Sequence, residues 1–198
     1  MLEAAMAIIE EHGEAGMRVR DVALRTGVSY ASLYHFFGSR EGLVLEAQTE
    51  RYERELRWVY DELALRISAC STRDEFSDAL STMLHHTLEP SRMPYRLTRV
   101  NVLGSCQGRP DLGERVASAQ RKANRAIAAA LAKPQQVGWI RRDLDLEMFG
   151  AWLLGQLNGR LLVELDPHTT RSDAWNRISM QATLGVLMDP APTGPFGA

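Results

Sequence analysis

Between Val19 and Phe37, two short apolar pieces, Val19-Val22-Ala23 and Leu33-Phe36-Phe37, flank Thr26-Gly27-Val28-Ser29. Gly27 admits positive φ at a sharp bend, and Ser29 offers an oxygen to the first N–H groups of a following helix. This is a helix, a tight turn and a second helix, the spacing of a helix-turn-helix. Ala23 and Gly27 are small where the two helices cross. Val22, Val28, Leu33 and Phe36 supply the expected wedge, with Phe36 and Phe37 read as core.

In such a motif the start of the second helix enters the major groove. Ser29, Tyr30, Ala31 and Ser32 occupy that start, and Tyr34 and His35 follow one turn on. Tyr30 and Ser32 are the candidate base readers, while small Ala31 lets the helix sit deep. Ser39-Arg40-Glu41 opens another helix and can bring N–H groups and a cation to a phosphate. Arg18 stands where a capping oxygen is usual, either as a phosphate contact or as a plain exposed arginine. The same local spacing also describes an αα-corner of any helical protein.

Linked motifs narrow the choice. Leu2-Glu-Ala-Ala-Met, Gly16, Val19-Arg-Asp-Val-Ala, Gly27-Val-Ser, Leu33-Tyr-His-Phe-Phe and Ser39-Arg-Glu-Gly-Leu resemble the TetR family of transcriptional regulators over the first quarter of the chain. The resemblance implies an all-α fold with a three-helix DNA-binding head, a larger helical ligand-binding body and a homodimer. It also implies a phosphate contact for the Tyr34 hydroxyl, whose other role would be surface packing. Two departures stand out: Gly42 replaces the usual acidic residue and is expected to loosen the helix start, and the sequence begins at Met1-Leu2-Glu3 without the family's usual basic arm, which is either absent or upstream of this start.

Charge argues the other way. Residues 1–50 hold four arginines (Arg18, Arg20, Arg25, Arg40) against eight carboxylates, a net −4, whereas a DNA face needs local positive potential. A second reading therefore stays open: a small-molecule-binding helical protein of the same fold with weak or lost DNA binding. No G-x-S-x-G, P-loop, G-x-G-x-x-G or H-E-x-x-H is present, so the expectation is a non-enzyme without cofactor or metal. His85 and His86 are adjacent and do not share a helix face. Cys70 and Cys106 lack zinc or CxxC spacing, which suits reduced thiols and a cytoplasmic protein. The most apolar stretch, 148–163, is interrupted by Gln156, Asn158 and Arg160 and does not read as a membrane span.

The rest reads as helices. The domain expectation is 1–45 for the head, 46–188 for the body and 189–198 for a disordered Pro/Gly tail. Leu45, Tyr52, Leu56, Val59, Leu63 and Ile67 form one stripe of a long helix from Ser39 to about Ile67. Thr72/Glu75 and Ser71/Asp74 are capping-box pairs that start the next helix. Further helices are expected near 95–107, 111–133, 146–165 and 175–188. Trp58, Met83, His86, Tyr95, Asn101, Cys106, Trp152 and Gln156 are candidate effector contacts, core packing being the other role of each. Ala151, Gly155 and Gly159 repeat every four residues and, with Trp175 and Ala182, make the expected dimer interface. The resulting expectation is a repressor that binds a palindromic operator on double-stranded DNA as a homodimer and is released by a small, largely apolar effector.

Overall fold

The computed structural model describes residues 1–166, 168 and 172–188. The tail at 189–198 lies outside them. Among the described residues the secondary structure is helical throughout: α1 Leu2–Gly16, α2 Val19–Thr26, α3 Tyr30–Phe37, α4 Arg40–Ser68, α5 Arg73–Thr87, a 3₁₀ turn Pro90–Arg92, α6 Met93–Ser105, α7 Pro110–Gln136, α8 Leu146–Gly159, α9 Leu161–Glu164 and α10 Ser172–Met188. The chain divides into two compact units, Met1–Arg54 with Asn101–Ala117, and Glu55–Val100 with Ser118–Ala198. The head thus extends past residue 45 and takes in a second stretch of chain. Charge holds that stretch: Arg109 donates to Glu14 at 2.7 Å and Arg115 pairs with Glu46 at 2.7 Å, while Leu112 is fully buried.

The first unit is built on the buried face of α1. Ala5, Met6, Ile8 and Ile9 pack with Val22, Ala23, Leu33, Leu43, Val44 and Ala47, and Phe37 lies half-buried against them. Helical geometry in α1 breaks at Gly13 (φ 71°), the positive φ that glycine tolerates best. Gly27 closes α2 in the left-handed region (φ 68°), and the Ser29 oxygen accepts from the Ser32 N–H at 3.2 Å to cap α3. The wedge differs from expectation at one residue: Phe36 is 67% exposed. One turn of helix cannot bury both neighbours, and Phe37 takes the inward position.

Gly42 does not act as a loosened hinge. Its N–H donates to the Ser39 hydroxyl at 3.0 Å, capping α4, and a Cβ added there would lie 2.0 Å from the Phe37 carbonyl oxygen. Helix propensity alone favours alanine at this position by about 1 kcal/mol. The clash is with backbone, which gives way poorly, so Gly42→Ala is expected to destabilise the chain by about 1–3 kcal/mol. Chemical denaturation of the two proteins checks the sign.

In the second unit, Thr72 and Glu75 form a true capping box, and Glu75 also accepts from the Ser71 N–H at 2.7 Å. Helix α7 runs past Pro134, where a break was expected, to Gln136. The long helix expected over 146–165 is interrupted at Arg160, whose side chain is buried beside Glu164. Gly150 backs onto the Asn124 backbone at 3.3 Å from an added Cβ, a close approach between α8 and α7. Among the described residues no helix is long and apolar enough to cross a membrane.

Candidate nucleic-acid interface

Leu33 (2% exposed) and Phe37 anchor α3 to the head, which turns Tyr30, Ala31, Tyr34 and His35 outward. Tyr30 is 52% exposed and Tyr34 50%, so both rings stand on the surface without having entered the core. His35 meets the edge of Phe36 with ring centroids 5.5 Å apart. Ser32 is half-buried and its hydroxyl lies 3.0 Å from that of Ser29, so these two serines serve the cap before any partner. The α3 N-terminus and the outward tyrosines therefore form one surface.

The arginines are less available. Arg25 forks onto Glu11, with Nη1 to Oε1 at 3.0 Å, and this bond holds the Glu11 carboxyl below its usual range. Arg20 lies 3.2 Å from Asp21. Arg40 donates from Nε to the Met17 carbonyl at 2.9 Å and from Nη2 to that of Glu14 at 2.7 Å, closing the end of α1. Its first duty is thus structural, although its charge remains. The Arg18 side chain is exposed and makes no hydrogen bond or ion pair among the described residues.

The eight effector candidates are shared between the two units. Asn101 and Cys106 fall in the first unit, the others in the second. Trp58, His86 and Tyr95 do gather: Trp58 meets the His86 edge at 5.5 Å, and the Arg92 guanidinium sits 3.6 Å from the Trp58 centroid and 4.0 Å from that of Tyr95. Met83 is 1% exposed core. Trp152 stacks beside Phe149, and Gln156 bridges to Ser179 and Thr183 of α10. Burial pushes the Cys106 thiol up, with Arg109 opposing, which disfavours the thiolate a redox sensor needs.

A cavity that sequence reasoning did not find lies elsewhere in the second unit. It has a volume of about 530 Å³ and is walled by Tyr60, Ala64, Ile67 and Cys70 on one side and Ala126, Ala130, Pro134 and Trp139 on the other, with Asp61 and Lys133 as its charged residues. Its alanines carried no signal, because small residues on a helix usually mean close packing.

Of the expected dimer residues, Gly155 is open, with nothing within 4 Å of an added Cβ. Gly159 instead receives the Trp175 ring of its own chain at 3.5 Å, and Ala151 and Ala182 are half-buried. Met148, Trp152, Leu162 and Ile178 are exposed apolar residues of α8 to α10, at 60%, 40%, 79% and 65%.

A capped, outward-facing α3 set by a short α2 and a left-handed glycine defines a helix-turn-helix. Residues 1–47 match the model of the bacterial regulatory proteins of the tetR family, so the chain carries that family's N-terminal domain. It is 23% identical over 159 residues to the HTH-type transcriptional repressor AcnR of Corynebacterium efficiens, covering 80% of this chain and 77% of that one. A TetR-family transcriptional regulator from Rhodococcus sp. shares the fold with TM-score 0.70 at 22% identity, over 94% of this chain and 95% of that chain. A transcriptional regulator from Saccharomonospora viridis, crystallised with choline, does so with TM-score 0.66 at 18% identity, over 96% of each.

Proposed function

We propose that the protein is a homodimeric repressor that binds a palindromic operator and releases it when a small molecule occupies the body. The observation that carries this reading is the α3 surface: Tyr30, Ala31, Tyr34 and His35 project from a helix whose N-terminus Ser29 caps. Arg18 and the Tyr34 hydroxyl are assigned to phosphates, Tyr30 and Ala31 to the groove floor, and Ser32 and His35 to its edges. The exposed apolar residues of α8 and α10 are the dimer face, with Gly155 giving the closest approach. The apolar cavity beside Trp139 supports a largely apolar effector, and the choline complex of the S. viridis relative supports a small-molecule effector as such. An effector acts only by favouring, through tighter binding, a state whose heads no longer fit the operator.

The test is footprinting of the DNA upstream of the protein's own coding region, with sedimentation velocity of the free protein. Two protected half-sites about 34–36 Å apart, or a multiple of that, and a dimer in solution are expected. A monomer, or protection of a single unpaired half-site, contradicts the proposal. The rival reading, a body that has kept its ligand while the head has lost DNA, draws on the ties that hold Arg20, Arg25 and Arg40.

A further inference from the structure

Entering and running along α6, Arg92, Arg96 and Arg99 recur at i, i+4 and i+7, one face of a helix. Such a row normally points to water, but Arg96 is 1% exposed and Arg99 2%. Arg160, where α8 gives way to α9, is 1% exposed as well. Arg96 is fully served: its Nε donates to Glu164 Oε2 at 2.8 Å, Nη1 to the Thr87 carbonyl at 2.6 Å and Nη2 to the Glu89 carbonyl at 2.9 Å, with Glu164 Oε1 closing the fork. Arg99 donates from Nε to Asn158 Oδ1 at 2.7 Å. Arg160 is not so served. Its Nε lies 3.3 Å from Glu164 Oε1, yet Nε and Nη1 are both buried without a hydrogen-bond acceptor among the described residues.

One carboxylate is therefore divided between two buried guanidiniums, and the second keeps two charged donors without an acceptor. Burying such donors is costly unless something answers them. We propose that this cluster is a binding site for a small oxyanion, the carboxylate or phosphate group of a small molecule, with Arg160 as its main contact. Planar, directional guanidinium donors suit the lone pairs of carboxylate or phosphate oxygens, which a spherical chloride ion does not offer. Arg92 opens the row: it is half-buried against Trp58 and Tyr95, and Tyr95 is 40% exposed, whereas Arg96 and Arg99 are buried. Burial lowers the proton affinity of both Arg92 and Arg160; Arg96 adds to this at Arg160, while Glu164 and Asp173 oppose it there and Glu55 and Glu89 oppose it at Arg92. An arriving anion relieves both. None of the residues around the apolar cavity belongs to this cluster, so the site stands whether or not that cavity takes an effector.

The experiment is calorimetric titration of the full chain with acetate, succinate and inorganic phosphate at constant ionic strength, chloride serving as the reference anion. Saturable binding of at least one of the three, one per chain and absent for chloride, is expected. Arg160→Gln should weaken it at least tenfold, and Arg160→Lys, which keeps the charge and loses the planar donors, should fall between. Arg92→Ala leaves the buried cluster intact and should weaken it severalfold, which keeps the test informative should the Arg160 variants not fold. No saturable oxyanion binding, equal binding of chloride, or unchanged affinity in both Arg160→Gln and Arg92→Ala overturns the proposal.

Discussion

Glu164→Ala is expected to lower stability by about 3–5 kcal/mol, the cost of leaving buried charge without its partner. The Glu164 side chain is 6% exposed and answers Arg96, while lying beside Arg160. Removing it strands one guanidinium and worsens the position of another that already lacks acceptors on two nitrogens. The carbonyls of Thr87 and Glu89 stay with Arg96 and limit the loss. Urea unfolding measures the change, and a loss under about 1 kcal/mol, the scale of an exposed pair, would mean that water reaches the cluster. Glu164→Gln keeps the shape and one acceptor and is expected to lose less than the alanine variant.

Tyr34→Ala is expected to weaken operator binding by about ten- to hundredfold, the span of a hydrogen bond to a charged group at about 1.5–3 kcal/mol. The ring is half exposed and projects from α3 on the same surface as Tyr30. Truncating it removes little packing, so stability should stay within about 0.5 kcal/mol of wild type. Tyr34→Phe separates the hydroxyl from the ring: it should lose nearly as much affinity if the hydroxyl holds a phosphate. Affinity comes from anisotropy titrations and stability from thermal unfolding of the same preparations.

The head was legible because its signals are local. Gly27 and Ser29 act within four residues of where they stand, and the left-handed turn and the cap follow from their chemistry. Phe36 was misplaced because adjacent phenylalanines on a helix compete for one inward direction, which only the position of Leu33 against the core decides. Gly42 was misread for a similar reason: propensity sees the helix it belongs to, whereas the Phe37 carbonyl pressing on it comes from the turn before. Arg40 looks like a free cation in sequence, yet the carbonyls it closes lie 23 and 26 residues earlier.

In the body the difficulty is range. The partner of Arg96 is 68 residues away, so three arginines in register gave no hint that their helix face turns inward. The aromatic neighbours Trp58, His86 and Tyr95 were picked for their mixed character and do meet, but around a guanidinium that was not singled out. The apolar cavity joins residues of α4 and α7 whose alanines look like packing in either helix alone. Of the glycines expected at a dimer interface, Gly155 is open, while Gly159 is occupied by Trp175 within the chain.

The measurement that bears most directly on the whole account is fluorescence anisotropy of the protein against its own upstream DNA, repeated across salt concentrations. A DNA-binding head predicts specific binding whose logarithm falls linearly with the logarithm of salt, by about 0.9 for each phosphate neutralised. Random duplex of equal length should bind far more weakly at every salt concentration. Equal, weak binding to both duplexes, flat in salt, would contradict a working head and leave the body as the only active part.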